Sequence, residues 1–185
     1  MPLTSIKPLN FLFDCIPDAV AHLRLSARQT GVNLGQWFEN LFENSWMVLE
    51  EVFGSIDEKK FALRSVSSLS KVSVARAKII DLGLRVGNEP LALIVAIAAL
   101  AEGIAPLPEQ KVEVLVQLHS MDEKTYLPSN LRLNLQAESG EILQEVVSRS
   151  NDNFIQLKRF RGDSGESFNI QVSDGNFTIK ETFVI

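Results

Sequence analysis

In K-V-E-V-L-V-Q-L-H, residues 111–119, Val112, Val114, Val116 and Leu118 fall on one side of an extended chain and Glu113, Leu115, Gln117 and His119 on the other. A period of two marks a β-strand with one face in a core, and no helix reproduces it. Leu131, Leu133 and Leu135 alternate with Arg132, Asn134 and Gln136 in the same way. From Val74, V-A-R-A-K-I-I-D-L reads as an earlier strand, and P-L-A-L-I-V-A-I-A-A-L as a second one buried on both faces. Periodicity alone leaves a buried helix open for residues 91–100. Ser139-Gly140 and Asp174-Gly175 have the composition of two-residue hairpin loops. The second would set Phe168, Ile170 and Val172 against Phe177 and Ile179. Phe154, Ile155 and Leu157 share one more strand, followed by K-R-F-R-G-D-S-G-E as a polar turn. About seven or eight short strands divided by turns predict an antiparallel sandwich of immunoglobulin-like kind.

Upstream the period is helical. Asp18 is placed to cap A-V-A-H-L-R-L-S-A-R. In N-L-G-Q-W-F-E-N-L-F-E-N-S-W-M-V-L-E-E-V-F-G, Asn33 is the expected N-cap, Gln36 the third residue of a capping box, and Gly54 the stop. Steps of 100° gather Leu34, Trp37, Phe38, Leu41, Phe42, Trp46, Val48, Leu49, Val52 and Phe53 on one side. That arc covers about half the circumference, against the roughly 100° a surface helix needs. Either two layers clamp this helix or part of its face awaits a partner. Residues 55–73, rich in serine and charge, read as a junction. The predicted fold is therefore α+β, with a helical N-terminal region, residues 1–73, followed by a β-sandwich domain, residues 74–185.

A net charge of −5 over 185 residues argues against nucleic acid as the main partner, because phosphate binding needs a basic field. The single cysteine, Cys15, excludes an internal disulfide and a zinc site built on several thiolates. The apolar run Leu91 to Ala101 has about half the length of a membrane span, so a cytoplasmic, soluble protein is expected. No phosphate-cradling, nucleophile-elbow or zinc-protease motif occurs. Pro17 breaks any helix that would bring His22 to Cys15, and His119 reads as part of a solvated turn. No catalytic residue, metal site or cofactor is therefore assigned. The candidate contact residues are Trp37, Phe42 and Trp46 on the helix face, Tyr126 in T-Y-L-P-S-N, and the basic cluster Lys158, Arg159 and Arg161. Asp152, Asp163 and Glu166 dilute that cluster, and Arg161-Gly162-Asp163 reads as a chance match to an adhesion tripeptide. Apolar surface with few reactive groups points to a non-enzymatic protein-interaction protein that binds through the sandwich edge or the broad helix face. The alternative is a small-ligand or glycan-binding sandwich.

N-L-G-Q-W-F-E-N-L-F-E, R-A-K-I-I-D-L-G, V-L-V-Q-L-H, Y-L-P-S-N-L-R-L, S-R-S-N-D-N-F-I-Q-L, G-E-S-F-N-I-Q-V and the terminal F-V-I, in that order, resemble an uncharacterised cyanobacterial family known only as a domain of unknown function. The similarity runs from about Val32 to Ile185 and corresponds to the C-terminal half of longer members. The resemblance carries no catalytic residues. Its members are often encoded near sigma-type transcription factors and CHAT-type caspase-like proteins, which implies a regulatory or adaptor component with such a protein as partner.

Overall fold

The computed structural model describes residues 31–54, 73–82, 90–100, 111–121 and 126–185. Cys15, His22, the helix expected after Asp18 and the serine-rich junction as far as residue 72 lie outside them. In chain order the elements are β1 (Val32–Asn33), α1 (Leu34–Trp37), α2 (Leu49–Phe53), β2 (Ser73–Ile80), β3 (Leu91–Ala99), β4 (Val112–Ser120), β5 (Arg132–Ala137), β6 (Ile142–Val147), β7 (Phe154–Gln156), β8 (Phe160–Gly162), β9 (Ser167–Ser173) and β10 (Thr178–Val184). They form one sheet of order β1-β10-β9-β5-β6 and a second of order β2-β3-β4-β7, with β8 also on β4. Every pairing is antiparallel except β1 with β10. Among the described residues no helix is long and apolar enough to cross a membrane.

Alternation builds the core between the sheets. Leu91, Leu93, Val95 and Ile97 of β3 join Val112, Val114, Val116 and Leu118 of β4, and meet Leu133, Leu135, Phe168, Ile170, Val172 and Phe183 of the other sheet in one cluster. The intervening residues Ile94, Ala96, Ala98 and Leu115 make a second cluster on the outer face, with Leu49 of α2. Residues 91–99 are thus a strand buried on both faces, not a helix.

The α+β expectation fails in its helical part. The helix read across residues 33–54 is two short pieces of four and five residues. Asn33 does cap the first, accepting from the Gln36 amide at 3.3 Å. The stop arrives early because Asn40 takes φ 61. The Leu41 amide then donates to Gln36 O at 3.1 Å and the Asn40 amide to Trp37 O at 3.2 Å, the paired bonds of a Schellman motif with asparagine in the glycine position. The chain next bonds to the edge of β2 through Met47 and Ala77, whose amides and carbonyls exchange hydrogen bonds at 2.8 and 2.9 Å. The apolar arc was wide because the segment serves two faces of one sheet: Trp37 and Trp46 lie in the inner cluster, and Leu49, Val52 and Phe53 pack outside. Gly54 ends α2 with φ 70.

The immunoglobulin-like reading also fails. β2, β3 and β4 run as a meander within one sheet, whereas immunoglobulin topology sends its third strand to the other sheet. Both hairpins form with longer loops than expected. Gly140 (φ 90) closes Glu138-Ser139-Gly140, a three-residue loop in which the Gly140 amide donates to Ala137 O at 2.9 Å. Residues 174–177 make the other, and there the Asp174 carboxylate accepts from the amides of Asn176 and Phe177 at 2.9 and 2.8 Å. Phe177 lies in that loop, exposed, instead of facing β9; Ile179 does pair with Val172.

Two outcomes test this account. Phe183→Ala removes a fully buried ring between Trp46 and Phe168, so chemical denaturation is expected to show a loss of about 3–5 kcal/mol. The amide bonds of Phe177 and then Asn176 hold the Asp174 carboxyl below its usual 3.8. The folded value is depressed, so this loop's support is complete above the ordinary carboxylate value and lost as pH falls through the lower folded one. An NMR titration of the Asp174 carboxyl carbon is expected to show a midpoint below the ordinary value, and one at or above it refutes the bonding.

Candidate functional site

The side chains singled out from the sequence divide sharply. Trp37 is fully buried and Trp46 nearly so, with ring centroids 5.2 Å apart. The Trp37 indole N–H donates to Glu43 Oε2 at 3.3 Å, and Glu43 Oε1 accepts from the Asn33 amide at 3.1 Å, the role foreseen for Gln36. Trp46 Nε1 has no hydrogen-bond partner among the described residues, where ring contacts and burial hold that indole. Phe42 stands edge-on to Trp37 with the Arg76 guanidinium 3.7 Å from its ring centre. Burial lowers the pKa of Arg76, opposed by Glu50 and Glu51. Trp37 and Trp46 thus lie in the interior, and Phe42 is half-buried against it.

Lys158 and Arg159 lie in the connection between two short strands, and Arg161 lies in a strand. Phe160–Gly162 is strand β8, and it sets Arg161 beside Glu113 of β4. Arg159 and Arg161 lie 3.8 and 3.7 Å from the Glu113 carboxylate, and Lys111 lies 3.4 Å from Asp163. Carboxylates thus stand within the cationic patch, while Lys158 is exposed. Gly162 serves close approach: a Cβ there would come within 2.3 Å of Ile185 Cδ1. Tyr126 is exposed.

His119 is buried and does not sit in a solvated turn. Its ring stacks on Phe154 at 5.1 Å and meets Phe53 edge-on at 6.0 Å. Nε2 lies 3.0 Å from Gln117 Oε1, and the Gln117 amide donates to Gln156 at 2.7 Å. This polar row crosses the outer face of β4 and β7 and satisfies groups that burial would otherwise penalise. Among the described residues no three His, Cys, Asp or Glu side chains gather to hold a metal.

What remains is backbone. A sheet edge carries unpaired amides and carbonyls, and folded proteins usually blunt it. On β10, β1 does so by pairing Val32 with Phe183 and Asn33 with Val184. On β2 the Met47 bridge does so, aided by inward charges: Lys78 bonds Glu181 at 2.5 Å and Arg76 lies over Phe42. On the far edge of the same sheet β7 and β8 have only three residues each, and a break at residues 157–159 interrupts them.

β6 differs. Nothing among the described residues pairs with its outer side. Ile142, Leu143 and Val147 are 53%, 54% and 39% exposed, a concentration that no other strand matches among the described residues. Inward, Val146 packs on the core and the Gln144 amide donates to Lys158 O at 3.2 Å. The Ser148 amide donates to Leu131 O at 2.9 Å, so antiparallel alternation turns the amides and carbonyls of Glu145 and Val147 to the open side. Arg132 lies 3.5 Å from Glu145. The register passes from Leu135 with Gln144 to Gln136 with Ile142, which places a bulge in β6 at Leu143. The sequence reading did not select these residues, although adjacent Ile142 and Leu143 cannot both face a core from a regular strand.

Leu143→Lys and Val147→Lys alter exposed side chains, so each is expected to change folding stability by less than about 0.5 kcal/mol in chemical denaturation. A larger loss would mean that the edge is held within the fold.

No curated protein and no solved structure matches the chain. Residues 16–184 match the family described as Protein of unknown function (DUF1822), and the chain belongs to that family.

Proposed function

We propose that this chain is a non-enzymatic protein-interaction domain that takes an extended segment of a protein as an added strand on β6. The carrying observation is the contrast among sheet edges. β10, β2 and β7/β8 are each covered, charged or interrupted, while β6 presents Ile142, Leu143 and Val147 on an edge that nothing among the described residues pairs with. Strand addition draws affinity from main-chain hydrogen bonds and specificity from alternate side chains, and β6 offers both. An adaptor or regulatory role in the cytoplasm belongs to this proposal, with a sigma-type factor or CHAT-type protein as the class of client the resemblance implies. The burial of Trp37 and Trp46 leaves the broad helix face with less support than the β6 edge. A glycan or small-ligand module has less support, resting on the exposed ring of Tyr126.

A photo-crosslinking residue at position 143, in the full chain expressed in its native host, tests the reading. A discrete protein adduct is expected there and not at exposed Glu138, and Val147→Lys is expected to abolish it. Equal or absent labelling at the two positions would overturn strand addition, and a thermal shift with sugars abolished by Tyr126→Ala would favour the ligand reading.

A further inference from the structure

We infer that the strand accepted by β6 carries a lysine or arginine between two apolar residues at alternate positions, with the cation opposite Glu145. This rests on the reading of β6 as a strand-addition edge and names the chemistry of its occupant. The backbone sets the length. Register with β5 is regular from Val147 opposite Arg132 to Gln144 opposite Leu135, and the bulge at Leu143 ends that run. At the other end the Arg149 amide donates to Asp152 Oδ2 at 2.8 Å and the Asp152 amide to Arg149 O at 3.2 Å, so the chain turns there. An added strand therefore engages Leu143 to Val147, where the amides and carbonyls of Glu145 and Val147 face outward.

Cross-strand register fixes which side chains the added strand meets. Asn134 of β5 lies opposite Glu145 and opposite Gln171 of β9, and Gln171 lies opposite Lys180 of β10. These residues form one row on the face of the sheet turned away from the core. Val147, Arg132, Ser173 and Thr178 form the next row. A strand on β6 extends both. Opposite Val147 and Leu143 it meets exposed apolar side chains, and between them it meets the Glu145 carboxylate. Arg132 is the one cation paired with that carboxylate among the described residues, at 3.5 Å, and the Glu145 side chain is 37% exposed. So long and open a contact leaves most of its acceptor capacity unused. An acidic residue opposite Glu145 would set like charges side by side, and an apolar one would cover the carboxylate without supplying a donor. Lysine or arginine supplies both the opposite charge and the donor. Apolar, cation, apolar is the same sequence from either end, so the pattern holds for either direction of the added strand.

Amide NMR of the purified full chain tests this, in titrations with a capped peptide that alternates threonine and valine and has lysine in place of its central valine. The amide signals of Glu145 and Val147 are expected to shift, with a dissociation constant about tenfold lower than for the same peptide with a central glutamate. Glu145→Lys should reverse that preference. Glu138→Lys, an equal change of net charge placed in the hairpin loop, should leave it in place. The segment captured by the crosslinker at position 143 in the native host gives an independent readout, since its sequence should hold lysine or arginine between apolar residues at alternate positions. Equal binding of the two peptides, no shift from either at about 1 mM, a lysine preference that survives Glu145→Lys, or a captured segment without the cation overturns the inference. A protein adduct at position 143 then leaves strand addition standing. If neither peptide moves those amides and nothing is captured, both fall.

Discussion

Ring contacts run without a break from Phe42 to Trp37, Trp46, Phe183, Phe168 and Phe160, at centroid separations between 5.1 and 5.9 Å. Phe183 and Phe168 belong to one sheet and Phe160 to the other, so this aromatic line ties the two layers together and anchors residues 37–46 to both. Sheets stacked about 10 Å apart leave an open side wherever their edge strands do not meet. On the β2 and β10 side the indoles fill it. Glu43 fixes that plug by accepting from both the Trp37 indole and the Asn33 amide, while the Lys78–Glu181 pair bridges the sheets beside it. Removing one ring forfeits its own burial and the support its neighbours take from it.

The C-terminus closes the sandwich at the other end of the line. The Ile185 amide donates to Glu166 O at 3.0 Å, and the Gly165 amide donates to Ile185 O at 2.7 Å. Ile185 sits against Gly162, where any side chain would collide with it. The glycine of the Arg-Gly-Asp tripeptide is thus explained by packing. β8 lays Phe160 on Phe168 and brings Arg159 and Arg161 to Glu113. The stretch that reads as a polar turn in the sequence thus includes a strand that packs on both sheets.

The strands were legible because alternation is a direct consequence of strand geometry: β2, β4, β5 and β9 fall where the period of two places them, while β3 falls on the continuous apolar run that periodicity could not tell from a helix. The false helix across residues 33–54 was equally well patterned. Residues that wrap around one sheet edge, with Trp37 and Trp46 inside and Leu49 and Val52 outside, leave apolar positions at spacings a helical wheel accepts. Only Asn40 marked the break, and asparagine enters the left-handed region too seldom for its position to announce it. The topology was illegible for a different reason, since strand pairing is decided by contacts distant in sequence. The open edge of β6 was hidden in the same way: its residues read as an ordinary hairpin partner, and what sets it apart is that no strand among the described residues pairs with its outer side.

That missing neighbour bears on how the edge can work. An uninterrupted flat apolar edge would pair with any extended chain and invite aggregation. β6 retains two restraints. The bulge at Leu143 interrupts the regular ladder with β5, and Glu145, tied to Arg132, puts a charge in the middle of the strand. A strand settling on this edge must therefore be short, must bring apolar groups to Leu143 and Val147, and must tolerate a carboxylate between them. Those demands exclude most passing sequences at the cost of a weaker contact. This suits an edge kept open for one kind of strand better than an edge merely left uncovered.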